Sequence, residues 1–263
     1  MTPRESVFVM YHELELPGRP LCQSEPGYVR YILIESDFRS QMSWLQQAGS
    51  RSMSTGEGLT FPEEHGVTVT FDDGCETDFI AAAPILKDTG NNATFYVTVG
   101  FLGKRGYLSQ AQLRELGALG FEIGCHSMTH AYMSDLTEDK LYQEIVIAKI
   151  ELEQITGRPI EHFSCPGGRW DRRVAEVAKR AGYRSVATSR ASANSPKADP
   201  FSLGRVAVMR ETSLQAFQRL CKGRGLWKLQ ARDLARSSAK RLFGNSAYDR
   251  IRSLLLNRSA DEC

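Results

Sequence analysis

The sequence predicts an α/β protein built on a parallel sheet, either a barrel or an open sheet. Three observations carry that expectation. Short apolar runs alternate with amphipathic helical segments along most of the chain. The 263 residues, 41% hydrophobic and 24% charged, suffice for one large core. The residues with the strongest chemistry fall at the ends of the apolar runs, where α/β folds place their ligands.

Val7–Tyr11 reads as the first strand, and a loop rich in Pro and Gly follows to about Tyr28. Asp37–Gln47 has helical spacing, with Phe38, Met42 and Leu45 on one face. Val67–Phe71 is a second strand and Thr77–Thr89 its helix, bent by Pro84. Ala93–Val99 is the third strand. Ser109 caps a helix that runs to Leu119 and stops at Gly120. Phe121–Cys125 is the fourth strand, followed by a helix from about Thr137 to Ile155 that Gly157 ends. His162–Cys165 is the fifth strand and Asp171–Ala181 its helix. Arg184–Thr188 and Arg205–Met209 bring the strands to seven.

The formal net charge is only +2, so overall charge does not point to nucleic acid. Its distribution is uneven. Leu214 to Arg258 holds eleven basic residues and two acidic ones, and Lys228, Arg232, Arg236 and Lys240 recur every four residues. Beside that stripe lie Trp227, Ala231, Leu234 and Leu242. Two domains are therefore expected: a barrel over residues 1–213 and a basic amphipathic tail over 214–263. The tail suits an anionic membrane surface, or packs its apolar face on the barrel. The N-terminus offers no apolar signal region, and no run is long enough to span a bilayer. The expected location is cytoplasmic, peripheral at the inner face of the membrane. The six cysteines have no close-paired spacing and read as reduced thiols. Cys75, Cys125 and Cys165, at strand ends, read as small residues filling the top of the barrel.

Two motifs carry the chemistry. Thr70–Gly74 is Thr-Phe-Asp-Asp-Gly, and Cys125–His130 is Cys-His-Ser-Met-Thr-His. Neighbouring strand residues point in opposite directions, so one carboxylate can bind a metal while the other accepts a proton. His126 and His130 are four apart, and on a helical turn both imidazoles face one way. Two imidazoles and a carboxylate suit zinc first and other divalent transition metals next. A metal-dependent hydrolase is the function expected.

At these residues the chain resembles the polysaccharide deacetylase family, the NodB homology domain of carbohydrate esterase family four, from about Val7 to Met209. The resemblance implies a distorted (β/α)7 barrel and metal-dependent removal of acetyl groups from sugars, N-acetyl above all. It implies Asp72 as catalytic base and Asp73, His126 and His130 as metal ligands. The expected partner is an acetylated sugar or oligosaccharide, lipid-linked if the tail is at a membrane.

Three later motifs depart from the family's pattern. The third places an Arg two residues before a Pro, whereas here Ser164 precedes Pro166 by two in Phe-Ser-Cys-Pro-Gly-Gly-Arg-Trp. Arg169, from the same loop, is the candidate replacement. The fourth motif's Asp and Trp are not evident near Ala187–Arg190. The fifth ends in a His that serves as acid, yet Leu203–Val208 contains none. Of the five histidines, His65 lies before the second strand and His162 at the start of the fifth, both at the bottom of the barrel, and His126 and His130 are assigned to metal. His12, at the carboxyl end of the first strand, is left as the expected acid, and a subgroup of the family begins with a similar Tyr-His segment. Pro166, Gly167, Arg169 and Trp170 are the expected substrate-binding residues, with the Gly167 N–H as an oxyanion donor and the faces of Trp170 and Tyr132 against sugar rings. The competing readings are an amidase acting on a non-sugar C–N bond and a catalytically degenerate member that binds glycan or membrane.

Overall fold

The computed structural model describes residues 5–60 and 66–231. Seven strands form one parallel sheet curled into a distorted barrel. They are β1 (Phe8–Tyr11), β3 (Gly66–Phe71), β4 (Thr94–Val97), β5 (Glu122–Cys125), β6 (His162–Ser164), β7 (Ser185–Ala187) and β8 (Val206–Ala207), in the spatial order β8-β1-β3-β4-β5-β6-β7. An eighth strand, β2 (Arg51–Met53), runs parallel to the start of β3. The sequence did not announce it, because three residues with an exposed Arg carry no period. The barrel closes where Leu203, just before β8, bridges to Ala187 of β7. Val9 of β1 then faces Val206 of β8, so the first and last strands are neighbours.

The strands are short and apolar because both faces are covered. All four residues of β1 and of β4 are buried. Tyr11, Phe71 and Phe95 stack in sequence at centroid separations of 5.2 and 5.1 Å, and Phe121 meets Phe95 edge-on at 5.4 Å. The helix Glu35–Gln47 buries Phe38, Met42 and Leu45, the face its spacing predicts. Gln110–Ala118 begins with a full capping box, in which Ser109 and Gln112 exchange side-chain and backbone bonds.

Two predicted helices contain a wide turn. The segment expected over Thr77–Thr89 is π-helical at Asp78–Ala82 and α-helical at Ala83–Asp88. Pro84 has no N–H to give and its ring crowds the preceding turn, so the ladder opens before it. The segment expected to reach Ile155 has a π turn at Gln143–Ile147 before Ala148–Thr156, and Gly157 ends it at φ 66°.

Leu214–Cys221, the start of the basic stretch, is a helix that buries Phe217 edge-on against Trp44 at 6.1 Å. Trp227 is 67% exposed. The stripe residues Arg232, Arg236 and Lys240 lie outside the described residues. Among the described residues, no helix is long and apolar enough to cross a membrane.

Candidate active site

The carboxyl end of β3 delivers Asp72 and Asp73 to the top of the barrel. Asp72 continues the strand, its N–H donating to the Tyr11 carbonyl at 3.0 Å. Asp73 then adopts φ 82° and Gly74 φ 77°. A non-glycine residue at such an angle is strained, and strain of this kind concentrates at functional sites. The reversal turns the two carboxylates toward different neighbours.

Asp73 faces the histidines. His126 Nε2 lies 3.5 Å and His130 Nε2 3.2 Å from Asp73 Oδ1. One donor atom from each of the three residues lies within 4.8 Å of the others. His126 and His130 do not sit on a helical turn, as their spacing suggested. They sit on a loop in which Ser127 (φ 74°) and His130 (φ 65°) are left-handed. Glu144, from the second π turn, holds that loop. Its Oε2 accepts the N–H groups of Met128 (2.9 Å) and Thr129 (2.8 Å), and its Oε1 accepts the Thr129 hydroxyl at 2.6 Å.

These residues fit a divalent metal. His126 Nδ1 lies 2.9 Å from the Ser164 carbonyl, which can only accept, so the ring proton sits on Nδ1 and Nε2 keeps its lone pair. Burial pushes His126 down to about 4, so it is neutral near pH 7. Asp73 Oδ1 is buried with no hydrogen-bond partner. Burial alone would raise the Asp73 carboxyl, but the close approach of His130 and the nearby imidazoles outweigh it and hold the group well below the usual range. An orphaned carboxylate oxygen facing two imidazole nitrogens is a ready ligand set.

Asp72 is paired with an arginine, while its Oδ2 also lies 3.8 Å from His126 Nε2. Arg205, fully buried ahead of β8, donates Nη1 to Oδ1 at 2.7 Å and Nη2 to Oδ2 at 2.8 Å. Its other donors reach the Thr188 carbonyl (3.0 Å), the Thr70 hydroxyl (3.1 Å) and the Ser164 hydroxyl (2.7 Å). All five N–H groups of the guanidinium are thus used. Burial raises the Asp72 carboxyl, but Arg205 and then His126 outweigh it and leave the group below its ordinary range.

This corrects the expected replacement for the missing arginine. Arg169 pairs with Asp135 at 3.3 Å and lies over the Tyr132 ring at 4.0 Å. Arg205 occupies Asp72 instead, and Ser164 accepts its fork where the family has the arginine. A lone Arg between Gly204 and an apolar run was the available signal, since a buried guanidinium demands a carboxylate.

His12 follows β1, with Nδ1 buried and unbonded and its ring 5.1 Å from that of Tyr31. It lies close enough for a proton on its ring to favour the ionised forms of both Asp72 and Asp73. His162 is on the opposite side of the barrel, at the start of β6, with Nδ1 2.8 Å from the Ser185 hydroxyl. His65 lies outside the described residues. Pro166 is buried, and Gly167 takes φ 59° beneath Tyr132, whose ring would meet a Cβ there at 2.7 Å. Tyr132 is exposed, whereas Trp170 packs partly against the core with its Nε1 buried and unbonded. Gly167 and Arg169 therefore both lie against the Tyr132 ring. Cys75, Cys125 and Cys165 are all buried, as expected of packing residues.

The polysaccharide deacetylase family model matches residues 61–186. The chain is 34% identical over 122 residues to the peptidoglycan-N-acetylglucosamine deacetylase of Bacillus cereus, covering 46% of this chain and 54% of that protein. It is 24% identical over 212 residues to a poly-beta-1,6-N-acetyl-D-glucosamine N-deacetylase of Staphylococcus aureus, covering 73% and 71%. Among solved structures, the deacetylase PplD of Streptococcus pyogenes, in complex with acetate, superposes with a TM-score of 0.74 at 22% identity, covering 84% of this chain and 99% of that one.

Proposed function

Because the chain belongs to the polysaccharide deacetylase family, we propose that it hydrolyses N-acetyl groups on a glycan of N-acetylhexosamine units. The observation that carries this reading is the division of labour at the end of β3. Asp73 converges with His126 and His130, while Asp72, 3.8 Å from His126, has both oxygens tied to Arg205. The two curated relatives above, one acting on peptidoglycan and one on a poly-N-acetylglucosamine, supply the substrate class.

Asp73, His126 and His130 would hold a divalent metal, with zinc suited to one carboxylate and two imidazoles. Such a metal, when bound, polarises the acetyl carbonyl and acidifies water. Asp72 takes the proton of the attacking water. Arg205 fixes both of its oxygens, so the base is ionised and cannot swing. The Gly167 N–H faces the oxyanion, and His12 delivers a proton to the leaving amine. Tyr132 and Arg169 offer a flat face to the sugar.

The intact Asp72–Arg205 pair also speaks against a degenerate, binding-only member, because it supplies a guanidinium that the third motif lacks. The deciding experiment is amine release from N-acetylglucosamine oligomers by metal-loaded protein, with Asp72→Asn as control. Release by the wild type alone is the expected result. No release from any acetylated oligosaccharide by protein carrying one metal per chain would overturn the reading.

A further inference from the structure

A second cluster of ligand-type side chains lies beside the candidate active site and takes no part in it. Glu13, Cys22 and Cys75 each bring one donor atom within 4.8 Å of the others. Glu13 and Cys75 are buried, and Cys22 is half-buried. Both oxygens of Glu13 receive the Cys22 N–H, at 3.1 and 2.9 Å, so the carboxylate is aimed at the residue that brings the first sulfur. The Cys22 thiol donates to the Gly106 carbonyl at 2.9 Å, and the Cys75 sulfur lies 3.4 Å from the Tyr28 hydroxyl.

A further acid lies next to them. Asp78, from the first π turn, is fully buried with neither oxygen hydrogen-bonded. Burial and the charges of Asp73, Cys22 and Glu13 push its carboxyl well up. Facing these groups, Arg19 supplies positive charge that acts on Glu13, while its own ion pair is to Glu76 at 2.6 Å. Two carboxyls and two thiols thus lie together, only Cys22 being partly exposed, with Arg19 near them. Thiols and carboxyls bind a cation in their deprotonated forms, so an ion bound here would displace their protons.

The geometry points to a second cation site, formed by Glu13, Cys22 and Cys75, that takes a thiophilic divalent ion of the zinc class. Two sulfurs and one carboxylate exclude magnesium and calcium, which take oxygen donors. The site also has an entrance. Cys22 and Gly106 line a cleft of about 390 Å³ together with Arg19, Pro20, Leu21, Glu76 and Arg105. The ion would tie the loop after β1, which carries Cys22, to the turn after Asp73 and Gly74, which carries Cys75. The role is structural: it fastens the rim of the barrel next to the Asp73–His126–His130 set.

Cobalt(II) tests this without relying on turnover. Cobalt bound to thiolate gives an intense near-ultraviolet charge-transfer band, whereas Asp73, His126 and His130 offer no sulfur. The full chain, reduced with a phosphine and stripped of metal, is titrated with cobalt(II). The expected result is a thiolate–cobalt band that is complete by two equivalents in the wild type and by one equivalent in His126→Ala, and that falls at least tenfold in Cys22→Ser. Glu13→Gln, which keeps both sulfurs, should retain a band but weaken binding by tenfold or more. Absence of the band in folded wild-type protein overturns the proposal, as does a band unchanged in Cys22→Ser. So does recovery of Cys22 and Cys75 only as a disulfide that, once reduced, binds no cobalt.

Discussion

Arg205 grips both oxygens of Asp72 across 133 residues of sequence, at 2.7 and 2.8 Å, in a pair shut off from solvent. A buried, fully bonded pair of this kind is expensive to break from one side, because the remaining charge has no water to return to. Arg205→Gln should therefore destabilise the fold by about 3–5 kcal/mol at neutral pH. The sign with pH follows from the depressed Asp72 carboxyl. Its contribution is present above the unfolded carboxylate range and is lost as pH falls through the lower folded value. Urea denaturation at pH 7 and at pH 3 should show the gap between variant and wild type shrinking in acid. A gap that stays constant would mean that Arg205 acts by packing alone.

The same pair predicts a rescue. Ser164 accepts from Arg205 Nη2 at 2.7 Å and lies 3.3–3.4 Å from both Asp72 oxygens. An arginine at 164 would approach Asp72 from the side the family uses. Arg205→Ser should lower kcat for deacetylation by at least tenfold, and Ser164→Arg added to it should recover part of that loss. The coupling is strongly non-additive because both changes act on one carboxylate. Equal activity of the single and double variants would show that position 164 no longer reaches the base.

Asp72 and Asp73 are adjacent, yet their conservative variants should fail differently. Asp72→Asn should retain a full equivalent of metal and lose about 10²–10⁴ in kcat, the range of a general base. Asp73→Asn should lose metal first, since Asp73 Oδ1 faces both imidazoles. Metal content by elemental analysis beside kcat separates the two. Equal metal loss in both variants would sink the division of roles.

The barrel was legible in the chain because strands covered on both faces read as apolar runs. The paired carboxylates and paired imidazoles were legible because each motif is contiguous. What escaped was long-range or irregular. Arg205 belongs to the site only through a contact 133 residues away, and Glu144 only because a π turn re-aims it. The loop geometry at His126–His130 was misread as a helical turn, since spacing alone cannot reveal left-handed residues at 127 and 130. Position 169 attracted attention by lying in the right loop, but its guanidinium is engaged by Asp135 and Tyr132.

Glu144 supplies a prediction that follows from hydrogen bonding alone. It accepts from Met128, Thr129 and the Thr129 hydroxyl, and touches no ligand atom that faces Asp73. Partners behind metal ligands typically govern 10–100-fold in affinity. Glu144→Gln keeps the shape but turns half of an acceptor into a donor, so zinc affinity should fall by about that range. Binding measured with a competing chelator checks this, and unchanged affinity would show that the loop is held instead by the Ser127 hydroxyl, which accepts the His130 N–H at 2.9 Å, and the Thr98 hydroxyl, which donates to the His126 carbonyl at 3.0 Å.

Metal uptake should also depend on pH, through His130 rather than His126. Burial lowers His130, but Asp73 outweighs it, so in the metal-free protein the imidazole is held above its ordinary value. His126, pushed down to about 4, has already lost its proton at neutral pH. Binding must therefore expel a proton from His130 and not from His126. Affinity should rise with pH through the raised range of His130 and level off above it. Below that range, close to one proton should be released per metal bound. Calorimetric titration in two buffers of different ionisation enthalpy measures that proton directly. In His130→Ala both the proton release and the rise of affinity with pH should disappear. A pH dependence that survives His130→Ala would assign the titration to another group and remove His130 from the ligand set.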